Sequence, residues 1–322
     1  MIKAWQVEAW GEPSSLKLGA SPVIAPGAGQ VRIRHDAAGL NFFDLLQVRG
    51  QYQIKPPFPF TPGAEVAGVI EAVGDGVAQF SVGDRVMALC LQNGFGEASN
   101  VAATHVFALP EGWTFAEGAA FPIVYHTGWY ALHRRARLAS GETLLVHAGA
   151  SGVGMAAIQI GKALGARVLA TASTEAKRSF ASSVGADDVI DYTQANWPDE
   201  VKRLTGGRGA DVIYDPVGGD AFDASTKCIA SEGRILVIGF ASGRIPTIAA
   251  NRILIKNFAV IGAVWGAYAL PRPSYLAEAQ ASLSALSLKP RVLHEYPFGE
   301  LVSALEDLDG RRVIGKAVLL VS

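Results

Sequence analysis

Thr143–Gly165 reads TLLVHAGASGVGMAAIQIGKALG, and Arg167–Ala172 follows as RVLATA. Leu144, Leu145 and Val146 form the short apolar run of a strand buried on both faces. Gly149, Gly152 and Gly154 then fall where a chain turns sharply and lets something approach its backbone. Met155–Leu164 has no proline and carries apolar residues at helical spacing. The stretch predicts a strand, a glycine-rich turn, a helix and a second strand. Such a unit aims free N–H groups and the positive end of a helix dipole at one point, which suits a pyrophosphate. The glycines are spaced G-x-x-G-x-G rather than G-x-G-x-x-G, and three glycines alone also serve plain tight turning. With both strands and the helix in place, a dinucleotide at Ala150, Ser151, Gly152, Val153 and Gly154 is the favoured reading.

Beyond this unit, strand-like runs recur at Asp188–Asp191, Asp211–Asp215 and Arg234–Gly239. Helical segments at Glu175–Val184, Trp197–Thr205 and Asp220–Ala230 separate them, and a sixth strand, Phe258–Val264, follows a longer connection. The alternation predicts a doubly wound parallel sheet. The chain before Gly118 has another texture. Short runs at Lys3–Ala9, Gln30–Ala37, Val66–Val73, Arg85–Leu91 and Ala98–Ala102 are broken by Pro26-Gly27, Pro62-Gly63, Gly74-Asp75-Gly76 and Gly83-Asp84, the pattern of a β-rich domain. One helical turn fits Asn41–Arg49 with Asn41 as its cap. Ala119–His133 reads as a helix with Pro122 in its first turn. A helix at Tyr275–Leu286, a segment at Leu301–Leu308 and a strong strand at Val313–Val321 end the chain. The tail is expected to rejoin the first domain. That gives a β-rich domain of residues 1–122 and 266–322 around an α/β domain of residues 123–265.

The chain has 322 residues, 50% of them hydrophobic, enough for two well-filled cores. A net charge of −1 favours neither nucleic acid nor an acidic membrane surface. Cys90 and Cys228 are the only cysteines, too few for a disulfide framework or a four-cysteine metal lobe. MIKAWQVEAWGEP at the N-terminus lacks the apolar core of a signal peptide, and Phe258–Leu270 is too short to span a bilayer comfortably. A cytoplasmic protein is expected.

GLNFFDLLQVRGQY (39–52), PFTPGAEVAGVIEAVGDGV (59–77), VGDRV (82–86), residues 145–172, VGADDVIDY (184–192), GRILVIGF (233–240) and VIGKAVLLV (313–321) together carry a resemblance. In this order they resemble the zinc-independent medium-chain dehydrogenase/reductases, specifically the quinone oxidoreductase group with its zeta-crystallin-like members. The resemblance implies a GroES-like catalytic domain holding an inserted Rossmann domain with a six-stranded parallel sheet, and an active site in the cleft between them.

The second strand ends in Ala172-Ser173-Thr174, where an NAD-type fold usually places an acid for the ribose 2′-OH. Small polar groups there leave room for a 2′-phosphate, and Lys177 is placed to neutralise it, so NADPH is the expected cofactor. The resemblance adds Tyr192 around that phosphate. The plainer reading makes Ser173 or Thr174 a helix cap and Lys177 a solvated residue, with Glu175 the one acid nearby. Where zinc-dependent relatives carry a cysteine and a G-H-E histidine, this chain has Asn41 and Gly63-Ala64-Glu65, and no other Cys/His group has ligand spacing, so no metal is expected.

Gly239-Phe240 and Val264-Trp265 end the last two strands of the sheet and are the natural neighbours of a nicotinamide. Thr127 and Val217 join the expected cofactor contacts. The resemblance adds Asn41, Tyr52 and Arg312. Asn41 and Tyr52 are the catalytic candidates, Tyr52 as a hydrogen-bond or proton donor to a quinone or enone oxygen. Tyr52 packing on Pro56 or Pro57 is the plain alternative, and Asp44 is expected only to brace the Asn41–Arg49 turn. Phe43, Tyr52, Phe95, Tyr125, His126, Trp129 and Trp265 are candidates to line a pocket for a flat conjugated acceptor. His147 is expected to be structural. The chemistry implied is metal-independent reduction of quinones or related conjugated carbonyls. A 2-enoyl or alkenal reductase, or a non-catalytic NADPH-binding protein, are the alternatives. The apolar Phe258–Val264 edge is a liability unless paired, and the resemblance implies a homodimer paired across it.

Overall fold

Leu144, Leu145 and Val146 are fully buried, and that burial places Thr143–Val146 in the middle of a sheet. The structure, a computed structural model, describes residues 1–22 and 24–321. Six parallel strands lie in the order Asp188–Asp191, Arg167–Ala172, Thr143–Val146, Ala210–Asp215, Ile229–Val237 and Ala259–Gly262. Leu145 pairs with Leu169 on one side and Ile213 on the other. Chain order therefore reverses at Thr143–Val146, the switch point beside which open α/β sheets bind their ligands. Helices Gly152–Ala163, Glu175–Ser183, Trp197–Leu204 and Gly219–Cys228 form the connections. Leu145, Leu169, Ile190, Ile213, Ile235 and Phe222 form the core of this unit. A Cβ on Gly161 would lie 2.6 Å from Leu144 Cδ2 and 3.1 Å from Val168 Cγ2, so the absence of a side chain lets the first helix lie close on the sheet.

The β-rich unit is built around Gln30–Gly39, which pairs antiparallel with Glu65–Val73, Ala98–Ala102 and Lys316–Leu320. Val292–Pro297 extends this seven-stranded sheet beyond Lys316–Leu320, and Arg85–Leu89 and Val106–Ala108 extend it at the other side. Ile2–Gln6 and Lys17–Ser21 form a separate hairpin. Val31, Ile33, Leu45, Val66, Ile70 and Leu319 are among the buried core residues, so the tail shares a core with the first residues of the chain.

The two compact units are Met1–Ile123 with Lys289–Ser322, and Val124–Leu288. The second boundary thus falls after Leu288, not after Trp265. Trp265–Ala269 and Pro273–Ala285 are held to the α/β unit by aromatic packing. Tyr268 stacks on Tyr130 at 5.3 Å, Tyr275 meets Tyr268 edge-on at 5.0 Å, and the Arg134 guanidinium lies 4.4 Å above Tyr268. The single helix expected over Ala119–His133 is instead two helices, Phe115–Ala119 and Pro122–Trp129, followed by a π-helical turn at Tyr130–Arg135. Thr114 and Glu117 form a reciprocal cap that starts the earlier helix.

Gly161→Val is expected to destabilise the protein by roughly 1–3 kcal/mol through overpacking, with Gly161→Ala costing less. Thermal midpoints of both variants check this, and unchanged midpoints would show that the helix has room to stand off the sheet.

Candidate active site

In the α/β unit the turn after Thr143–Val146 is tied to both neighbouring strands. His147 N–H donates to Tyr214 O at 3.0 Å, and Gly149 N–H to Thr171 O at 2.9 Å. Ser151 caps the following helix: its Oγ accepts from Gly154 N–H at 3.1 Å and donates to Ala148 O at 2.8 Å. The first helical rung is Met155 N–H to Ser151 O, 2.8 Å, so the N–H groups of Gly152 and Val153 lie ahead of the ladder. A Cβ on Gly154 would lie 2.1 Å from Ala148 O, and one on Gly149 2.8 Å from Ala170 Cβ. Two of the three glycines are thus demanded by close approach, and they form a cradle into which a pyrophosphate fits. His147 is buried between Thr171 Oγ1 (3.0 Å) and Ser225 Oγ (2.7 Å), and burial pulls its pKa down.

No acid ends the second strand, Arg167–Ala172. Thr174 caps the next helix, with Lys177 N–H 3.3 Å from its Oγ1, so Lys177 lies in the first turn beyond Ser173. Arg178 Nη1 donates to Ser173 O at 2.7 Å and to Asp191 Oδ2 at 2.9 Å. That places a second cation beside Ser173 and the chain leading to Tyr192, which is exposed. Arg178 was not among the expected site residues; its signal is its place next to Lys177 in the first turn of that helix. A phosphate fits this set of donors better than a ribose hydroxyl does.

At the other strand ends, Asp215 Oδ1 accepts from Val217 N–H at 2.8 Å and Gly218 N–H at 2.9 Å. Ser242 N–H donates to Val217 O at 2.9 Å, which joins this loop to the one carrying Gly239 and Phe240. Phe240 and Val264 are exposed, while Thr127 is buried and Trp265 packs its ring 5.7 Å from His126. Apart from Thr127, which lies on the helix Pro122–Trp129, the expected residues of this unit follow the carboxyl ends of the parallel strands in the chain.

In the β-rich unit, Asn41 ends the central strand's exit and starts the helix Phe42–Val48. Asp44 Oδ2 accepts Asn41 N–H at 2.7 Å, the bracing role expected of it. The Asn41 carboxamide donates from Nδ2 to Glu65 Oε1 at 2.8 Å and accepts at Oδ1 from Lys316 Nζ at 2.6 Å. Lys316 also reaches Glu65 Oε1 at 2.6 Å and Leu40 O at 2.7 Å, and Glu65 Oε2 accepts Ile123 N–H at 2.7 Å. Lys316 was not foreseen; its signal is a lone charge inside the apolar run VIGKAVLLV. Burial pushes the Asp44 carboxyl up to about 8, against the pull of Asn41 N–H and Lys316, and its Oδ1 has no hydrogen-bond partner.

Tyr52 is half-buried and packs its ring 5.4 Å from Phe43. Burial, reinforced by Asp44, raises its pKa and keeps the phenol a donor. Arg312 is held by Asp307 Oδ1 at 2.6 Å and Glu306 O at 3.1 Å. Phe95 and Tyr125 are fully buried and Trp129 nearly so, and Tyr125 Oη donates to Gln159 Oε1 at 2.6 Å. Phe95 and Tyr125 are core side chains, which corrects their expected place in a pocket lining. Among the described residues, no three His, Cys, Asp or Glu side chains are grouped to hold a metal ion.

Residues 27–128 match the alcohol dehydrogenase GroES-like domain and residues 152–281 the zinc-binding dehydrogenase domain. The chain is 34% identical over 325 residues to the quinone oxidoreductase of Rattus norvegicus, covering 100% of this chain and 98% of that one. Escherichia coli quinone oxidoreductase, solved in complex with NADPH, superposes with a TM-score of 0.92 at 28% identity, covering 99% and 100% of the two chains. The CurK enoyl reductase superposes with a TM-score of 0.90 at 27% identity, covering 99% of each. A GroES-like β domain joined to a parallel dinucleotide-type sheet is the plan of the medium-chain dehydrogenase/reductases. This oxidoreductase belongs to their quinone oxidoreductase family.

Asp44 gives a testable pH dependence. Between the ordinary carboxyl pKa near 4 and its folded value of about 8, the folded protein keeps a proton the unfolded chain has lost, so stability falls as pH rises through that window. The slope approaches about 1.4 kcal/mol per pH unit. Urea midpoints should drop between pH 5 and pH 9 more for the wild type than for Asp44→Asn; parallel profiles would mean that Asp44 is ionised in the fold.

Proposed function

We propose that this protein is an NADPH-dependent reductase of quinones or related conjugated carbonyls, working by direct hydride transfer without a metal. The observation that carries the cofactor choice is the end of the second strand, where Ser173 is flanked by Lys177 and Arg178 and no acid ends the strand. NADPH, when bound, supplies the hydride. Gly152 and Val153 N–H groups, with Ala150 and Ser151 beside them, would hold its pyrophosphate. Ser173, Lys177, Arg178 and Tyr192 hold the 2′-phosphate. Val217, Gly239, Phe240, Val264, Trp265 and Thr127 border the nicotinamide end. Asn41 and Tyr52, in the β-rich unit, are the candidate groups for the acceptor, and the Tyr52 phenol would donate a hydrogen bond to its oxygen. Arg312 is assigned a cofactor contact from the tail.

The enoyl reductase neighbour supports a second reading, reduction of 2-enoyl or alkenal substrates with Tyr52 as proton donor. We further assign the protein to the cytoplasm as a homodimer. Ala259–Gly262 is an edge strand, and exposed Leu254, Ile255 and Val264 lie near it in the chain, which supports pairing across that edge.

NADPH oxidation should be fastest with 1,2- or 1,4-quinones; a preference for enals or enoyl thioesters selects the second reading, and turnover of none removes both. Lys177→Ala should raise the NADPH KM about ten-fold, the loss of one charge-assisted contact, and leave NADH little changed. Equal effects on both cofactors would overturn the 2′-phosphate assignment. Tyr52→Phe should lower kcat for enals about ten-fold or more if the phenol is the proton donor; full activity would leave it a binding contact.

A further inference from the structure

The ion pair between Lys316 and Glu65 sits in an unusual place. Lys316 is 3% exposed and Glu65 0%. Taking both charges out of water is costly, and apolar side chains of similar size commonly serve stability as well or better. All three Lys316 N–H bonds have acceptors: Leu40 O, Asn41 Oδ1 and Glu65 Oε1. Glu65 uses its second oxygen on Ile123 N–H. The remaining partner of both charges is the Asn41 carboxamide.

An asparagine amide is ordinarily free to flip, exchanging donor for acceptor. Here the flip is decided by charge. The ammonium takes the oxygen, the carboxylate takes the nitrogen, and reversal would set N–H against N–H and oxygen against oxygen. Nζ, Oε1, Nδ2 and Oδ1 close a ring, because Nζ and Oε1 are themselves 2.6 Å apart. A carboxamide closes such a ring with its oxygen and the N–H on the same side. Its second N–H, on the opposite side, points away from the ion pair. Asn41 retains 7% exposure.

We propose that Lys316 and Glu65 are positioning residues that lock the Asn41 carboxamide, so that it offers one fixed N–H to an oxygen of a bound ligand. The ligand oxygen is a carbonyl of the acceptor or a ribose oxygen of the cofactor. This rests on the reading of Asn41 as a ligand contact. Neither charge touches ligand; both act through the amide. A merely structural pair would act independently of Asn41.

The test is a cycle of Lys316→Met, Asn41→Ala and the double variant, with Lys316→Arg as the conservative control. Thermal midpoints confirm that each is folded at the assay temperature. Lys316→Met should lower kcat/KM for 1,4-benzoquinone about ten-fold and have less than about a two-fold effect once Asn41 is alanine. Lys316→Arg should recover most of the loss. A change in quinone KM marks the acceptor as the partner of the N–H; a change in NADPH Kd marks the cofactor. If Lys316→Met does not fold, Glu65→Gln with Lys316→Met replaces it as a neutral pair. A second readout needs no turnover. The two Nδ2 protons of Asn41 should be widely separated in a nitrogen-15 correlation spectrum of the wild type and converge in Lys316→Met. Unchanged amide signals, or equal losses with and without Asn41, overturn the proposal. If the wild type reduces no acceptor, the reading of the activity fails separately, and the same cycle is run on NADPH affinity.

Discussion

The carbonyl of Ala148 stands where a side chain on residue 154 would begin, 2.1 Å from that Cβ position. That close approach lets the chain leave one strand, reverse and start a helix within a few residues. Ser151 then closes the helix end with its own hydroxyl. Everything in the α/β unit follows from the strand so placed. It is the middle of the sheet, chain order reverses beside it, and the loops at the carboxyl ends of the other strands collect on the same side. A larger residue at 154 would push the turn off the strand and lose the alignment of its N–H groups.

The β-rich unit obeys a different constraint. Its central strand, Gln30–Gly39, gains a neighbour from the far end of the chain, Lys316–Leu320. That strand is buried and brings one charge with it. The charge is matched by Glu65 on a second strand and by the start of the helix at Asn41. The polar cluster is thus assembled from three separate segments, and each is needed to satisfy the others.

Much of this was legible in the residues because the signals are local. The apolar run before Gly149, the absence of an acid after Ala172 and the turn residues of the first hundred positions each act within a few residues. The cap at Asn41 was legible for the same reason. What escaped depends on contacts far apart in sequence. Nothing near Pro273–Ala285 says that Tyr268 and Tyr275 will pack with Tyr130, so the boundary of the second unit was set too early. Phe95 and Tyr125 are aromatic side chains like any pocket lining, and only their complete burial shows them to be core. The partners of Lys316 lie hundreds of positions earlier, and no periodicity points to them.

The distance between those partners has a consequence for how the protein is made. Lys316 and Asn41 are 275 residues apart, whereas the α/β unit is one unbroken segment, Val124–Leu288. On the ribosome that segment is complete before the β-rich unit has the strand Lys316–Leu320 that pairs with its central strand. Until then Glu65 and Asn41 lack the cation that matches them. The polar cluster at Asn41 is thus complete only once residue 316 has been made.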